Sequence, residues 1–173
     1  MKLGLVEVYT GTGKGKTTAA LGTALRAVGH GFHVIVIQFL KGNYGYGEVQ
    51  AIKLLPNFEI YQYGRKEFAV PRCPTEEDLE GINKAYEHAV QALLSEKYDL
   101  VILDEVLVAI DFEFLETAKV IDLIKIKPPN VELILTGRNA QNEIIEVADL
   151  VTEMREVKHP FQKGISARKG IDF

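Results

Sequence analysis

The chain has 173 residues, 47% hydrophobic and 25% charged, which suits an ordinary globular protein with a real core, most simply one domain over residues 1–173. A net charge of −4 leaves no basic excess to neutralise phosphate backbones, so nucleic acid is not an expected partner, although residues 158–170, "KHPFQKGISARKG", are locally basic. The single cysteine, Cys73, can form neither an intrachain disulfide nor a zinc cluster, and neither a signal peptide nor an apolar run of about 18 residues is found, so the expected setting is cytoplasmic, with no membrane partner.

In chain order, Leu3–Tyr9 is a short apolar run rich in β-branched and aromatic residues, which predicts a strand. A glycine-rich turn follows, then an alanine- and leucine-rich helix over Lys16–Val28 that stops at Gly29. Phe32–Phe39, "FHVIVIQF", predicts a second strand and Phe58–Tyr63 a weaker one. Thr75 after Pro74, with Asp78 three residues on, is a capping-box variant. The apolar positions Leu79, Ile82, Tyr86, Ala89, Val90 and Leu93 then repeat at helical spacing. Leu100–Leu103 is another buried strand, Phe114–Ile124 a helix, Leu133–Thr136 a strand, Asn142–Ala148 a helix and Leu150–Val157 a weak strand. Strands alternating with helices predict a three-layer α/β fold with a mainly parallel sheet. Ligands of such sheets bind beyond the carboxyl ends of the strands.

The stretch "TGTGKGKTT" sits between a strand and a helix, the context a phosphate loop requires. Gly11 and Gly13 can take backbone angles closed to other residues, so that successive N–H groups form an anion nest. The helix beginning near Lys16 adds free N–H groups and its positive dipole end. Lys16 can place its ammonium on phosphate oxygens, and Thr17 stands where a hydroxyl usually holds Mg²⁺. The usual pattern has glycine five residues before the G-K pair, and here that position is Thr10. In "YDLVILDEVLVAI" an apolar strand ends in Asp104-Glu105. Asp104 falls where a P-loop protein places the acid that acts on Mg²⁺, directly or through water. Glu105 is a second metal-side carboxylate or the base that activates water in an ATPase. These motifs point to a nucleoside triphosphate with Mg²⁺ and leave the reaction open.

"TGTGKGKTTAALG", "VIQFLKG", "VILDE", "ILTGRNA", "ADLVTEM" and "VKHPFQKGISARKGIDF" occur in this order. Together they resemble the ATP:corrinoid adenosyltransferase family of the CobA/CobO/BtuR type over nearly the whole chain. The resemblance implies a P-loop NTPase-like (RecA-like) fold and transfer of the 5′-deoxyadenosyl group of ATP to a Co(I) corrinoid, with release of triphosphate. It implies ATP held in the reverse of the usual direction, because the ribose must be exposed while all three phosphates form the leaving group. It also implies a homodimer, supplied with Co(I) by a reductase or other electron donor.

On this reading Gly11, Thr12, Gly13, Lys14, Gly15, Lys16, Thr17 and Thr18 cradle the triphosphate, and Thr17 and Glu105 face the metal with Asp104 in support. Lys14 is an extra cation beside the loop or a solvent-exposed lysine. Lys41, in "QFLKG", reaches phosphate or corrinoid amides, or is a solvated loop lysine. Arg138, in "TGR", is expected on the nucleotide, and His159 is expected to be structural. No Asp-x-His-x-x-Gly stretch supplies a cobalt-ligating histidine, so the corrinoid is expected as substrate and not as a resident cofactor. Two features depart from some relatives. An N-terminal arm that covers a neighbouring site is expected to be absent, since the chain starts almost at the first strand. A Phe-Thr-Trp segment facing the corrinoid is also missing, since the chain has no tryptophan. The aromatics Tyr61, Tyr63 and Phe68 are the candidates there, and Phe68, in the polar context "GRKEFAVPR", is expected to face the corrinoid. Cys73 is expected to be incidental. The competing readings are a P-loop ATPase or small-molecule kinase, and a non-catalytic nucleotide sensor. A thymidine kinase fits less well, since one cysteine cannot build that family's zinc site.

Overall fold

A computed structural model of the protein describes residues 3–42 and 45–172. Six strands form one sheet in which every pair is parallel: β1 (Val6–Thr10), β2 (Val34–Phe39), β3 (Phe58–Tyr63), β4 (Leu100–Asp104), β5 (Glu132–Thr136) and β6 (Leu150–Glu153), in the order β3-β2-β4-β5-β1-β6. Among the described residues the helices are α1 (Lys16–Gly29), α2 (Gly47–Ile52), α3 (Glu76–Leu94), α4 (Val106–Asp111), α5 (Thr117–Ile126) and α6 (Asn142–Val147), with a 3₁₀ turn at Pro160–Lys163. This is the α/β architecture of a P-loop NTPase-like domain, with β5 inserted between the glycine-loop strand β1 and the acidic strand β4.

Strand alternation divides the core. Ile35, Ile37, Phe39, Val101, Leu103, Leu133 and Leu135 point to one face, where α3 to α6 supply Ile82, Ala89, Leu107, Val120 and Ile144. Val34, Val36, Leu100, Ile102 and Ile134 point to the other, against Ala20 and Ala24 of α1 and Ile52 of α2. Burial on both faces explains the unbroken apolar runs of β2, β4 and β5.

The bounds differ from expectation for local reasons. Leu3 is exposed and β1 begins at Val6, because the Gly4 N–H bonds the Pro129 carbonyl (2.9 Å) and the Leu5 N–H the Glu132 carboxylate (2.9 Å) instead of a neighbouring strand. β6 ends at Glu153, since β1 ends at Thr10 and the Met154 carbonyl accepts from Gly13 of the glycine loop instead of from a strand. Phe114 precedes α5 because a left-handed Glu113 (φ 63°) closes α4, a short helix that periodicity does not reveal. The capping box at Thr75 and Asp78 forms reciprocally as the sequence implies.

Candidate active site

The crossover from β1 through α1 to β2 passes over β5 and β4. It brings the start of α1 above the ends of both. Here Asp104, fully buried at the end of β4, gathers four donors. Oδ1 accepts from Thr17 Oγ1 (2.8 Å) and Thr136 Oγ1 (2.7 Å). Oδ2 accepts from Gln38 Nε2 (2.9 Å) and Lys41 Nζ (2.7 Å). Gln38 is itself braced by Gln62 (2.9 Å). Four donors fill the acceptor sites of a carboxylate, so Asp104 is the hub of a network. In this network Asp104 orients Thr17, the hydroxyl expected on the metal side. Burial pushes the Asp104 carboxyl up, but the charge and hydrogen bond of Lys41, with Thr136 and Thr17, hold it below the ordinary range. Burial likewise pushes Lys41 down, and Asp104 and Glu105 more than reverse this. Lys41 is therefore committed to the hub. It is not a solvated loop lysine, and it lines the cleft.

Glu105 comes next with φ 62°, a left-handed conformation that costs a residue with a Cβ on the order of 1 kcal/mol. Its N–H is fixed by Thr136 Oγ1 (3.0 Å), and the turn presents its half-buried carboxylate to the cleft. Burial, followed by the nearby Asp104 charge, raises the Glu105 pKa against the pull of Lys41, Lys16 and Arg138.

The glycine loop is tied down from behind. Met154 N donates to Thr10 O (2.8 Å), and Gly13 N donates to Met154 O (2.6 Å). A Cβ on Gly13 would lie 2.7 Å from that carbonyl oxygen and 2.8 Å from Arg155 C. The positive φ angles belong to Gly11 (102°) and Gly15 (118°). Gly13 thus serves close approach rather than an unusual backbone angle, and its N–H is not part of the anion nest. Thr10 explains the missing glycine. It is still in β1, its Oγ1 accepts the Ala140 N–H (3.2 Å), and the chain turns only at Gly11. At the start of α1 the N–H groups of Lys16, Thr17 and Thr18 have no helical acceptor. Lys16 Nζ donates to the carbonyls of Gly11 and Gly13, each at 2.8 Å, which leaves one of its three protons for a ligand in the cleft. Burial lowers its pKa.

These groups floor a cleft of about 1090 Å³. Its walls include Arg138 after β5, Tyr46 and Glu48 at the start of α2, and the chain beyond β6. Thr12 and Lys14 turn to that last segment: Thr12 Oγ1 accepts the Glu156 N–H (3.4 Å), and Lys14 bonds Ile171 and Asp172. His159 caps the 3₁₀ turn, its Nδ1 accepting the Phe161 N–H (3.2 Å), a structural role at the cleft wall. The structure does not bring Phe68 into this cleft. It lies in the loop after β3, at the same end of the sheet, and is 86% exposed. Tyr61 and Tyr63 turn to α3 instead, both meeting the His88 ring edge-on, with a 2.8 Å hydrogen bond between Tyr63 Oη and His88 Nδ1. Cys73 is a free thiol on an exposed turn. Gln38 and Thr136 were not singled out from the sequence, although a lone polar residue in or at the end of an apolar strand is the signal that finds them.

The family model for "ATP:corrinoid adenosyltransferase BtuR/CobO/CobP" matches residues 2–173. The corrinoid adenosyltransferase of Escherichia coli (strain K12) is 38% identical, with 98% of this chain and 86% of that protein aligned. Corrinoid adenosyltransferase CobA of Salmonella typhimurium is similar to the same extent, 38% over 98% of this chain and 86% of its own length. The Sinorhizobium corrinoid adenosyltransferase is 38% identical over 98% of this chain and 80% of its own. A glycine loop braced against a saturated strand-end aspartate and similarity along almost the whole length lead to one conclusion: the chain belongs to the ATP:corrinoid adenosyltransferase family.

Proposed function

We propose that the cleft holds the triphosphate of ATP over the glycine loop and exposes C5′ of the ribose to a Co(I) corrinoid. The observation that carries this reading is the Asp104 hub, which fixes Thr17 and the start of α1 beneath the cleft while Lys16 is held against the glycine-loop carbonyls in its floor. The electron pair of Co(I) forms the Co–C5′ bond and the C5′–O bond breaks. Its electron pair departs on triphosphate, and cobalt ends formally as Co(III). No proton moves, so no general base is required. The protein supplies alignment and charge stabilisation. Lys16 and the N–H groups of Lys16, Thr17 and Thr18 meet the growing negative charge, and Arg138 reaches it from the β5 side.

The residues present suit Mg²⁺. Thr17 gives its proton to Asp104 and keeps lone pairs for a cation, and Glu105 borders the same space. Thr17 and Glu105 would leave the other positions of such an ion to phosphate oxygens and water. When bound, it would neutralise charge on the departing triphosphate. Phe68, beyond the β2–β3 side of the cleft, is the candidate for the face of the corrinoid. The activity is assigned to the cytoplasm, to a homodimer and to a reductase or other electron donor that keeps cobalt reduced. Among the described residues no helix is long and apolar enough to cross a membrane.

Anaerobic incubation with ATP, Mg²⁺ and chemically reduced cobalamin tests the reaction. Phosphorus NMR is expected to show inorganic triphosphate formed one for one with the Co–C bond. ADP as the stoichiometric product would instead establish an ATPase or kinase.

A further inference from the structure

Lys14 belongs to the glycine loop by sequence, yet its ammonium is spent on the far end of the chain. Nζ donates to Ile171 O (2.8 Å) and to the Asp172 carboxylate. That carboxylate also accepts the Arg168 N–H (2.9 Å) and Arg168 Nε (3.1 Å). A second anchor lies upstream, where Gly13 bonds Met154 and Thr12 bonds Glu156. The segment between the anchors is stretched along the cleft as a wall. Two of its apolar side chains border the cleft and remain uncovered, Phe161 at 76% and Ile165 at 49% exposure. Phe161 is held in place by the 3₁₀ turn, with Pro160 ahead of it and the His159 cap on its N–H. An aromatic ring and an aliphatic side chain, one loop away from the phosphate donors, form a surface suited to a purine base and its sugar.

We propose that Lys14 and Asp172 are positioning residues: their ion pair rivets the tail to the phosphate loop, so that Phe161 and Ile165 form the wall against which the adenosine half of ATP lies. Phosphate binding is left to Lys16 and the helix N–H groups. The proposal rests on the reading of the glycine loop as a triphosphate cradle, and two ligands separate the two claims. Dissociation constants for ATP and for inorganic triphosphate, both with Mg²⁺, are measured by calorimetry on the full chain.

Asp172→Asn, Lys14→Met and Phe161→Ala should each weaken ATP about fivefold while changing triphosphate by no more than about twofold. The Lys14→Met/Asp172→Asn double variant should be no weaker than the poorer single, because both remove one interaction. The exchanged pair, Lys14→Asp with Asp172→Lys, should recover part of the ATP affinity. Unchanged ATP affinity in Asp172→Asn or Phe161→Ala, or equal weakening of both ligands in any of the three single variants, overturns the proposal. A wild-type protein that binds no triphosphate overturns the cradle itself, and the rivet with it.

Discussion

Two carboxylates near the glycine loop each face a lysine, and they are held in opposite ways. Asp104 has no exposed surface, takes four donors and sits where strands β2, β4 and β5 end together. Asp172 lies on the surface of the tail and takes Lys14 and Arg168. Both titrate below the ordinary carboxylate range, Asp104 against the cost of burial and Asp172 through direct bonds to Lys14 and Arg168. The two differ in the consequence of breaking those bonds. Two of the donors around Asp104, Gln38 and Thr136, are fully buried and have no water to turn to, so the hub is part of the fold. Those around Asp172 are rehydrated at once, so the tail is a reversible fastening. One phosphate loop is thus set on a rigid base and closed by a removable wall.

The largest effect that would break this contrast is at the hub. Asp104→Ala leaves the partly buried Lys41 without its partner and strands the buried donors Gln38 and Thr136, and a loss of about 3 kcal/mol is expected from urea unfolding. A loss as small as that of an exposed ion pair would mean that water reaches the hub and that the contrast is false.

The next effect is at the seam between base and wall. Gly13→Ala places a Cβ against the Met154 carbonyl and the Arg155 backbone, and should cost about 1–3 kcal/mol or force the tail away. Gly22, within α1, is the internal control: nothing lies within 4 Å of its added Cβ, and Gly22→Ala should stabilise by up to about 1 kcal/mol. Equal melting shifts in the two variants would show that the seam is not tightly packed.

A smaller effect on stability, with a specific effect on activity, is expected at Phe68. Its ring is exposed, while Arg65 Nη2 donates to its carbonyl (3.2 Å) and Arg65 Nε to Asp78 (2.8 Å), which anchors the loop to α3. Phe68→Ala should change stability by no more than about 0.5 kcal/mol. It should slow adenosylation when the assay starts from Co(II) with a mild reductant, and much less when pre-reduced Co(I) is supplied. Equal slowing in both assays would remove Phe68 from the corrinoid side and point to the loop itself.

Much of the base was legible in the sequence, and little of the wall was. The strands of the base are apolar runs, and its acids stand at their ends, so periodicity and the G-K-T motif place Lys16, Thr17, Asp104 and Glu105 together. Gln38 and Thr136 escaped notice because a single polar residue in an apolar strand has no spacing to mark it. Residues 154–172 are exposed throughout or nearly so, and their structure comes from contacts with residues more than 140 positions away, such as Thr12 to Glu156 and Lys14 to Asp172. No local pattern encodes such pairs. Phe68 shows the converse: its polar context set it apart from the core, and the ring is exposed in the loop after β3, but a single aromatic carries no pattern that names its ligand.

The smallest expected effect is also the one that most directly separates base from wall. An exposed ion pair is screened by salt, with a Debye length of about 10 Å at 0.1 M and about 3 Å at 1 M, whereas a buried pair is screened far less. Raising the salt should therefore speed amide hydrogen exchange in residues 164–172 and leave the amide of Glu105, which bonds Thr136 beside the hub, unchanged. Acid should act in the same sense. Since the folded pKa of Asp172 is depressed, its contribution is present above the ordinary carboxylate range and is lost as pH falls through the folded value. Lowering pH within the neutral range should thus leave the fastening intact, which makes salt the selective handle. Chloride and a poorly coordinating anion should give the same effect at equal ionic strength, since screening does not depend on occupation of the phosphate site. Tail exchange that ignores salt would mean that the wall is held by the Met154 and Glu156 anchors alone, and the contrast between the two carboxylates would then have no consequence for the tail.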